Sequence, residues 1–183
     1  MLNNLLFISL IMTFISKDEI KPFCPKVKDE TLKAVVDSTE RLFCGLLPLE
    51  KKEREVSFLL HQIWQRGTWY QVNTSLLNIA SAKNEQGESL TTKTIDKKDV
   101  LLFEGKVNFY PVMTLKITSG YATEELPEDL KDAMISYATE QALMIGQGFG
   151  SNVASYKMPR TISFRENSPA REQVMQTIHK YQL

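Results

Sequence analysis

The sequence predicts an α+β fold, with a helical part drawn from both ends of the chain and a β-rich insertion near residues 56–118. Three observations carry this. Residues 29–43 and 128–145 repeat apolar side chains at helical spacing. Between them, short runs of aromatic and β-branched residues are separated by turn signals. The two regimes meet at "ITSGYATEELPEDLKDAM", residues 117–134, where a strand-like run stops at Ser119-Gly120-Tyr121 and a helix opens at Leu126-Pro127-Glu128-Asp129.

Taken in order, the first element starts at Ser16-Lys17-Asp18-Glu19. Ser16 and Glu19 have capping-box spacing, and Ile15 and Ile20 are placed for a hydrophobic staple. Pro22 and Pro25 stop this helix early. A second helix is expected over Asp29–Phe43, with Leu32, Val35, Val36, Thr39, Leu42 and Phe43 as its stripe, Gly45 as its C-terminal cap and Pro48 just beyond. Glu50–Glu55 reads as a solvated charged connector or short helical turn. Strands are expected over Val56–Trp64, Trp69–Ala82 (partly irregular or helical around Ser75–Ala80), Leu90–Ile95, Val100–Phe103, Lys106–Tyr110 and Val112–Thr118, with a hairpin loop at Asn84–Ser89.

Gly120 permits the turn after the last of these strands. Pro127 suits the first helical turn, and Glu128 and Asp129 complement the helix dipole. The helix then runs to about Ile145, with Leu130, Met134, Tyr137, Ala138, Gln141 and Ala142 on one stripe and Ala133, Ala138 and Ala142 allowing close packing. A short strand is expected at Thr161–Phe164. A last helix is expected over Pro169–Tyr181, capped by Ser168, with Val174, Met175, Ile178 and Tyr181 on its apolar face. A helix of that length is marginal alone in water, so it must pack on its own domain, a like subunit or a partner. In the partner case Val174, Ile178, Tyr181 and Leu183 are the anchors.

Composition narrows the function classes. The 183 residues suit one domain, and 22 basic against 22 acidic residues argue against a dedicated nucleic-acid binder. Cys24 and Cys44 form no metal-ligand spacing and read as free core thiols. Leu5–Ile15 is apolar but shorter than the about 20 residues of a membrane span, lacks a preceding Lys or Arg, and is followed by no A-x-A-like site. It is therefore read as a leader or N-terminal arm rather than a signal, with Met12 as a candidate start.

No catalytic set converges. His61 and His179 have structural or exposed contexts, and no Ser, Cys or Asp is brought beside a base. Gly146-Gln147-Gly148-Phe149-Gly150 follows a helix, whereas a phosphate loop opens one. The acidic pairs Glu124-Glu125 and Glu128-Asp129 are explained by capping. Trp64, Trp69 and Tyr70, with Arg66 nearby, read first as core or interface aromatics and second as a stacking platform for a ligand. No enzyme activity, cofactor or metal is expected.

In order of parts the chain resembles the head–tail connector proteins of tailed bacteriophages, also called head-completion or DNA-packaging adaptor proteins. The parts are Ser16–Phe23, Asp29–Phe43, the β stretch, "LKITSGYA" at 115–122 and "LPEDLKDAMISYATEQAL" at 126–143. The sharpest element is residues 117–134, with Gly120, Tyr121, Pro127 and Leu130 as its structural junction. The resemblance implies a leader or arm at 1–12, a connector-like α+β domain at 13–167 and a C-terminal helix at 168–183 that reaches the portal. It implies a homo-oligomeric ring, commonly dodecameric, at the capsid–tail junction of the virion. Such a ring contacts the portal protein and a stopper, tail-terminator or tail-completion protein, and DNA passes through its channel without sequence-specific binding or a membrane. The alternatives are another virion protein, such as a tail-completion or minor tail protein, and a secreted ligand-binding protein.

Overall fold

The computed structural model describes residues 13–94, 100–146 and 169–182. The fold is the expected α+β arrangement of paired N-terminal helices, a curled antiparallel sheet, a long helix and a C-terminal helix. Residues 1–12, the Ser168 cap, the expected strand at Thr161–Phe164, most of the 146–150 glycine run and Leu183 lie outside the described residues.

Helix α1 (Lys17–Ile20) is one turn long and continues as a 3-10 turn, Lys21–Phe23. The Glu19 carboxylate accepts from the Ser16 backbone N–H at 2.7 Å and from its hydroxyl at 3.1 Å, while Ile15 and Ile20 are both buried. Helix α2 spans Asp29–Leu46 and so runs through Gly45, which is not its cap. The stop is set by Pro48, because the residue before proline is driven extended, and Leu47 has φ −132° and ψ 142°. Helix α3 (Glu128–Met144) buries Leu130, Ala133, Met134, Tyr137, Ala138 and Ala142 against α2, where Phe43 meets Tyr137 edge-on at 6.2 Å. Helix α4 (Pro169–Gln182) packs along α3. Contacts between Ser136 and Gln173 and between Asp129 and Tyr181 make that pair antiparallel.

The sheet comprises β1 (Lys52–Leu59), β2 (Ile63–Arg66), β3 (Trp69–Asn73), β4 (Ser81–Lys83), β5 (Ser89–Thr94), β6 (Val100–Glu104) and β7 (Val112–Ser119), in the order β1-β7-β4-β5-β6-β3-β2 with every pairing antiparallel. The two outer strands, first and seventh in an alternating sheet, therefore point the same way. Only the 3-10 turn Leu60–Gln62 links them, a reach of at most about 14 Å. They form one bent run that leaves one edge of the sheet and joins the other, which forces the sheet to curl. Its concave side is filled by Phe58, Val72, Leu101, Phe103, Met113, Leu115 and Ile117. β7 shows the alternation most clearly, with Met113, Leu115, Ile117 and Ser119 inward.

Three strand expectations are corrected. Glu50–Glu55 is not a connector or helical turn, since β1 begins at Lys52 and pairs with β7 from Ser119 downward. Edge strands tolerate charged side chains on both faces, which hides them from an apolar pattern search. Val56–Trp64 is broken at Leu60, so His61 sits in an exposed turn and not within a strand. Lys106–Tyr110 is irregular; Asn108 accepts the Tyr110 N–H, and Phe109 tucks onto Tyr70 at 4.8 Å. Residues 74–80 are irregular, and the 84–89 loop is a hairpin in which Asn84 Oδ1 accepts from the Gln86 and Glu88 amides.

Candidate functional site

The helical core and the sheet core meet where β7 hands over to α3, and this junction is the candidate site among the described residues. Gly120 has φ +101°, a region side chains rarely adopt. A Cβ placed there would lie 2.3 Å from the Glu50 carbonyl oxygen and 2.7 Å from that of Leu49. The glycine thus lets the α2–β1 link pass directly over β7. Around it the Gly120 N–H donates to the Leu77 carbonyl at 2.7 Å, and the Tyr121 N–H donates to Leu49 at 2.7 Å. Asn78 donates its side-chain amide to the Gly120 carbonyl at 3.0 Å.

Arg54 completes the knot. Its guanidinium donates to the Ser119 carbonyl at 2.8 Å, the Ser119 hydroxyl at 3.0 Å and the Glu50 carbonyl at 2.9 Å. Ser119 is the last residue of the β1–β7 pairing and Glu50 lies just before β1, so the arginine ties the end of β7 to the α2–β1 link. Beyond the junction Leu126 is buried, and the Pro127 carbonyl accepts from Leu130 at 3.1 Å and Lys131 at 3.0 Å to open α3. Leu130 is fully buried in the helical core.

The C-terminal helix ends against the same place. Val174 and Ile178 are buried in the chain's own helical core. Tyr181 donates its hydroxyl to Asp129 Oδ1 at 2.8 Å, and Lys180 pairs with Asp129 Oδ2. Burial raises the Asp129 pKa, but Lys180 and the Tyr181 hydroxyl more than offset this, so it sits below the ordinary value. The Tyr181 phenol is pushed up by burial and by Asp129. Two sets that look separate in the sequence, the 120–130 junction and the 174–181 anchors, are therefore joined through Asp129. The sequence explains Asp129 as a helix-dipole residue and Arg54 as part of a charged run, and nothing in their spacing reveals these partners.

An open cleft of about 360 Å³ lies beside the junction, lined by the end of α2 together with Lys52, Arg54, Ser75 and Tyr181. Its groups are engaged: Lys52 pairs with Glu50 at 3.0 Å, and the Cys44 thiol is pushed up to about 11 by burial. Cys24 and Cys44 are both free thiols, as expected. Among the described residues no group of three or more His, Cys, Asp or Glu side chains is placed to hold a metal, and no helix is long and apolar enough to cross a membrane. The aromatic set is divided by the sheet. Tyr70 stacks on Phe103 at 5.4 Å in the core, Trp69 lies under the Lys93 ammonium at 4.6 Å, and Trp64 is 68% exposed.

No family model matches the chain, and no curated protein matches it. Solved structures do. A chain of "Neck of empty GTA particle computed with C6 symmetry" is 11% identical, over 95% of this chain and 92% of that one, with a TM-score of 0.47. A chain of "Neck of native GTA particle computed with C12 symmetry" is 10% identical, over 92% and 91%, with a TM-score of 0.40. A third, from "Virion of native gene transfer agent (GTA) particle", is 12% identical, over 89% and 88%, with a TM-score of 0.37.

Proposed function

We propose that this chain is a structural virion protein: a ring subunit that joins the portal of a tailed-phage-like capsid to its tail and extends the DNA channel. The observation that carries the reading is the junction at Gly120. Residues 117–134 hold the sharpest part of the resemblance to head–tail connectors, and they are also where a Cβ on Gly120 would lie 2.3 Å from the Glu50 carbonyl oxygen and where Leu49, Leu77, Asn78 and Arg54 supply hydrogen bonds outside the strand ladders. A subunit whose role is to hold two structural halves in register needs a rigid handover there, and no reactive group. The overall neutrality of the chain, 22 basic against 22 acidic residues, suits a wall past which DNA slides, because phosphate contacts would retard it.

The C-terminal helix is the proposed portal-docking segment, through Val174, Ile178, Tyr181 and Leu183. The first two are packed against α3, so docking through them exchanges α3 for the portal and breaks the contacts of Lys180 and Tyr181 with Asp129. Native mass spectrometry of the chain, alone and mixed with its portal protein, tests the reading. A closed ring or a complex at matched subunit ratio is the expected result. A chain that stays monomeric in both samples refutes it. In the mixture, removal of residues 169–183 is expected to weaken portal binding, and unchanged binding removes α4 from the portal contact.

A further inference from the structure

The side chains proposed to dock on the portal are covered in this chain. Val174 is fully buried and Ile178 is 3% exposed, both in the helical core, and Thr177 between them is buried too. Polar ties hold α4 to α3 near both of its ends. The Ser136 hydroxyl donates to Gln173 Oε1 at 3.4 Å. Asp129 accepts the Tyr181 hydroxyl at 2.8 Å and pairs with the Lys180 ammonium. A partner that grips Val174 and Ile178 needs the face that α3 already holds, so the two seats exclude each other.

The attachment of α4 permits that exchange. Antiparallel helix neighbours are commonly joined by about 2–8 residues. Here α3 ends at Met144 and α4 opens at Pro169, so the connection is about three times as long as such a pair requires. A chain of that length can span up to about 70 Å. Helix α3 has other ties that do not involve α4: Tyr137 meets Phe43 of α2, Lys131 pairs with Glu19 at 2.7 Å, and the Thr139 carbonyl receives the Cys24 thiol. A 14-residue helix is marginal alone in water, so a released α4 persists only where a second apolar seat is offered.

We propose that α4 is an autoinhibitory strap: in the free subunit its seat on α3 covers the docking side chains, and the strength of that seat sets how tightly the subunit binds its portal. This rests on the docking reading above and adds its regulation. The portal engages only the released fraction, so the apparent dissociation constant is the intrinsic one divided by that fraction. A substitution that loosens α4 from the α3 side, away from every docking residue, therefore tightens docking. An α4 that is simply part of the domain gives no such gain. Asp129 is the position to change, because it holds α4 and belongs to α3.

Titration of the full chain against its portal protein tests this. Asp129→Asn is expected to quicken amide exchange in α4 and to lower the apparent dissociation constant about two- to fivefold. Glu128→Gln removes the same charge one residue away, from an exposed side chain, and is expected to leave docking unchanged. Ser136→Cys with Gln173→Cys joins α4 to α3 across their contact. The disulfide-linked form, confirmed by mass, is expected to bind at least about tenfold more weakly than the same protein after reduction. If the linked form binds as tightly as the reduced one, or if Asp129→Asn quickens α4 without tightening docking, the strap is wrong. Removal of residues 169–183 then separates the two readings. If that removal weakens docking, α4 binds the portal without leaving α3 and only the strap falls. If it changes nothing, the docking reading falls and the strap with it.

Discussion

Replacing Gly120 by Ala puts a number on the junction. Backbone strain for a side chain at φ +101° costs about 1–3 kcal/mol. The new Cβ would lie 2.3 Å from the Glu50 carbonyl oxygen and 2.5 Å from its carbon, and both are backbone atoms that no rotamer change can move. The α2–β1 link must therefore shift, which weakens the Gly120-to-Leu77 and Tyr121-to-Leu49 hydrogen bonds, worth about 1 kcal/mol each. The stiffer unfolded chain returns about 0.4–1 kcal/mol of destabilisation, leaving a net loss of about 3 kcal/mol. For a chain of this length that lowers Tm by about 6–12 °C. Gly67→Ala is the control. Gly67 also has positive φ, +65°, but a Cβ there meets nothing within 4 Å, so only the local conformational cost of about 1–2 kcal/mol applies. Urea unfolding of both variants, read by tryptophan fluorescence and circular dichroism, separates the close approach from the dihedral. If Gly120→Ala unfolds within about 1 kcal/mol of Gly67→Ala, the crossing at Glu50 does not hold the two halves as argued.

Glu40 offers a second test. It is 3% exposed, and its Oε1 accepts the backbone N–H groups of Phe14 at 2.5 Å and Ile15 at 3.0 Å. Burial raises its pKa above the ordinary 4.5 despite those donors. A carboxyl raised on folding is stabilised most when protonated, so its contribution is fullest below 4.5 and declines as pH rises through the raised value. Glu40→Gln keeps an acceptor and is expected to flatten that decline and raise the urea midpoint at pH 7, whereas Glu40→Ala leaves two buried donors and costs about 2–4 kcal/mol. An unchanged pH profile in Glu40→Gln removes Glu40 as its source. Asp129 has the opposite sign. Its lowered pKa means that its contribution is present above the ordinary 3.8 and is lost as pH falls through the lowered value. Asp129 is 38% exposed, so Asp129→Asn is expected to cost only about 0.5–1 kcal/mol, concentrated in α4, where amide exchange should quicken without a matching change in β7.

What was legible in the sequence divides by whether a residue's role is local. The Ser16–Glu19 pair, the Asn84 turn, the α3 stripe and the glycine after β7 follow from chemistry within a few positions, and each is found where its spacing puts it. The second half of β1, Val56–Leu59, is legible as part of the expected strand from Val56, but its first half, Lys52–Glu55, is not, because its partner, β7, lies some sixty residues away and its own residues are charged. The end of α2 was misread for a related reason: Gly45 is the commoner signal for a helix end, but it is exposed and helical, and the conformational restriction imposed by Pro48 decides the stop.

The candidate site shows the same limit more sharply. Gly120, Pro127 and Leu130 are legible because turns and helix entrances have residue preferences. Arg54 and Asp129 are not, because a guanidinium serving Ser119 and Glu50 carbonyls and a carboxylate serving Tyr181 have the same sequence signature as solvated charges. Those two residues nonetheless set what the junction can do. Arg54 ties β1 to the end of β7, so a force applied to the sheet reaches the start of α3. Asp129 ties that start to α4, so the same force reaches the C-terminal helix. If α4 engages a partner by leaving α3, the Asp129 contacts with Lys180 and Tyr181 must break, and with them the connection from sheet to helix terminus. Asp129→Asn is therefore expected to ease that release in the proposed ring as well as in the isolated chain, while Arg54→Ala is expected to loosen the sheet and leave α4 docked.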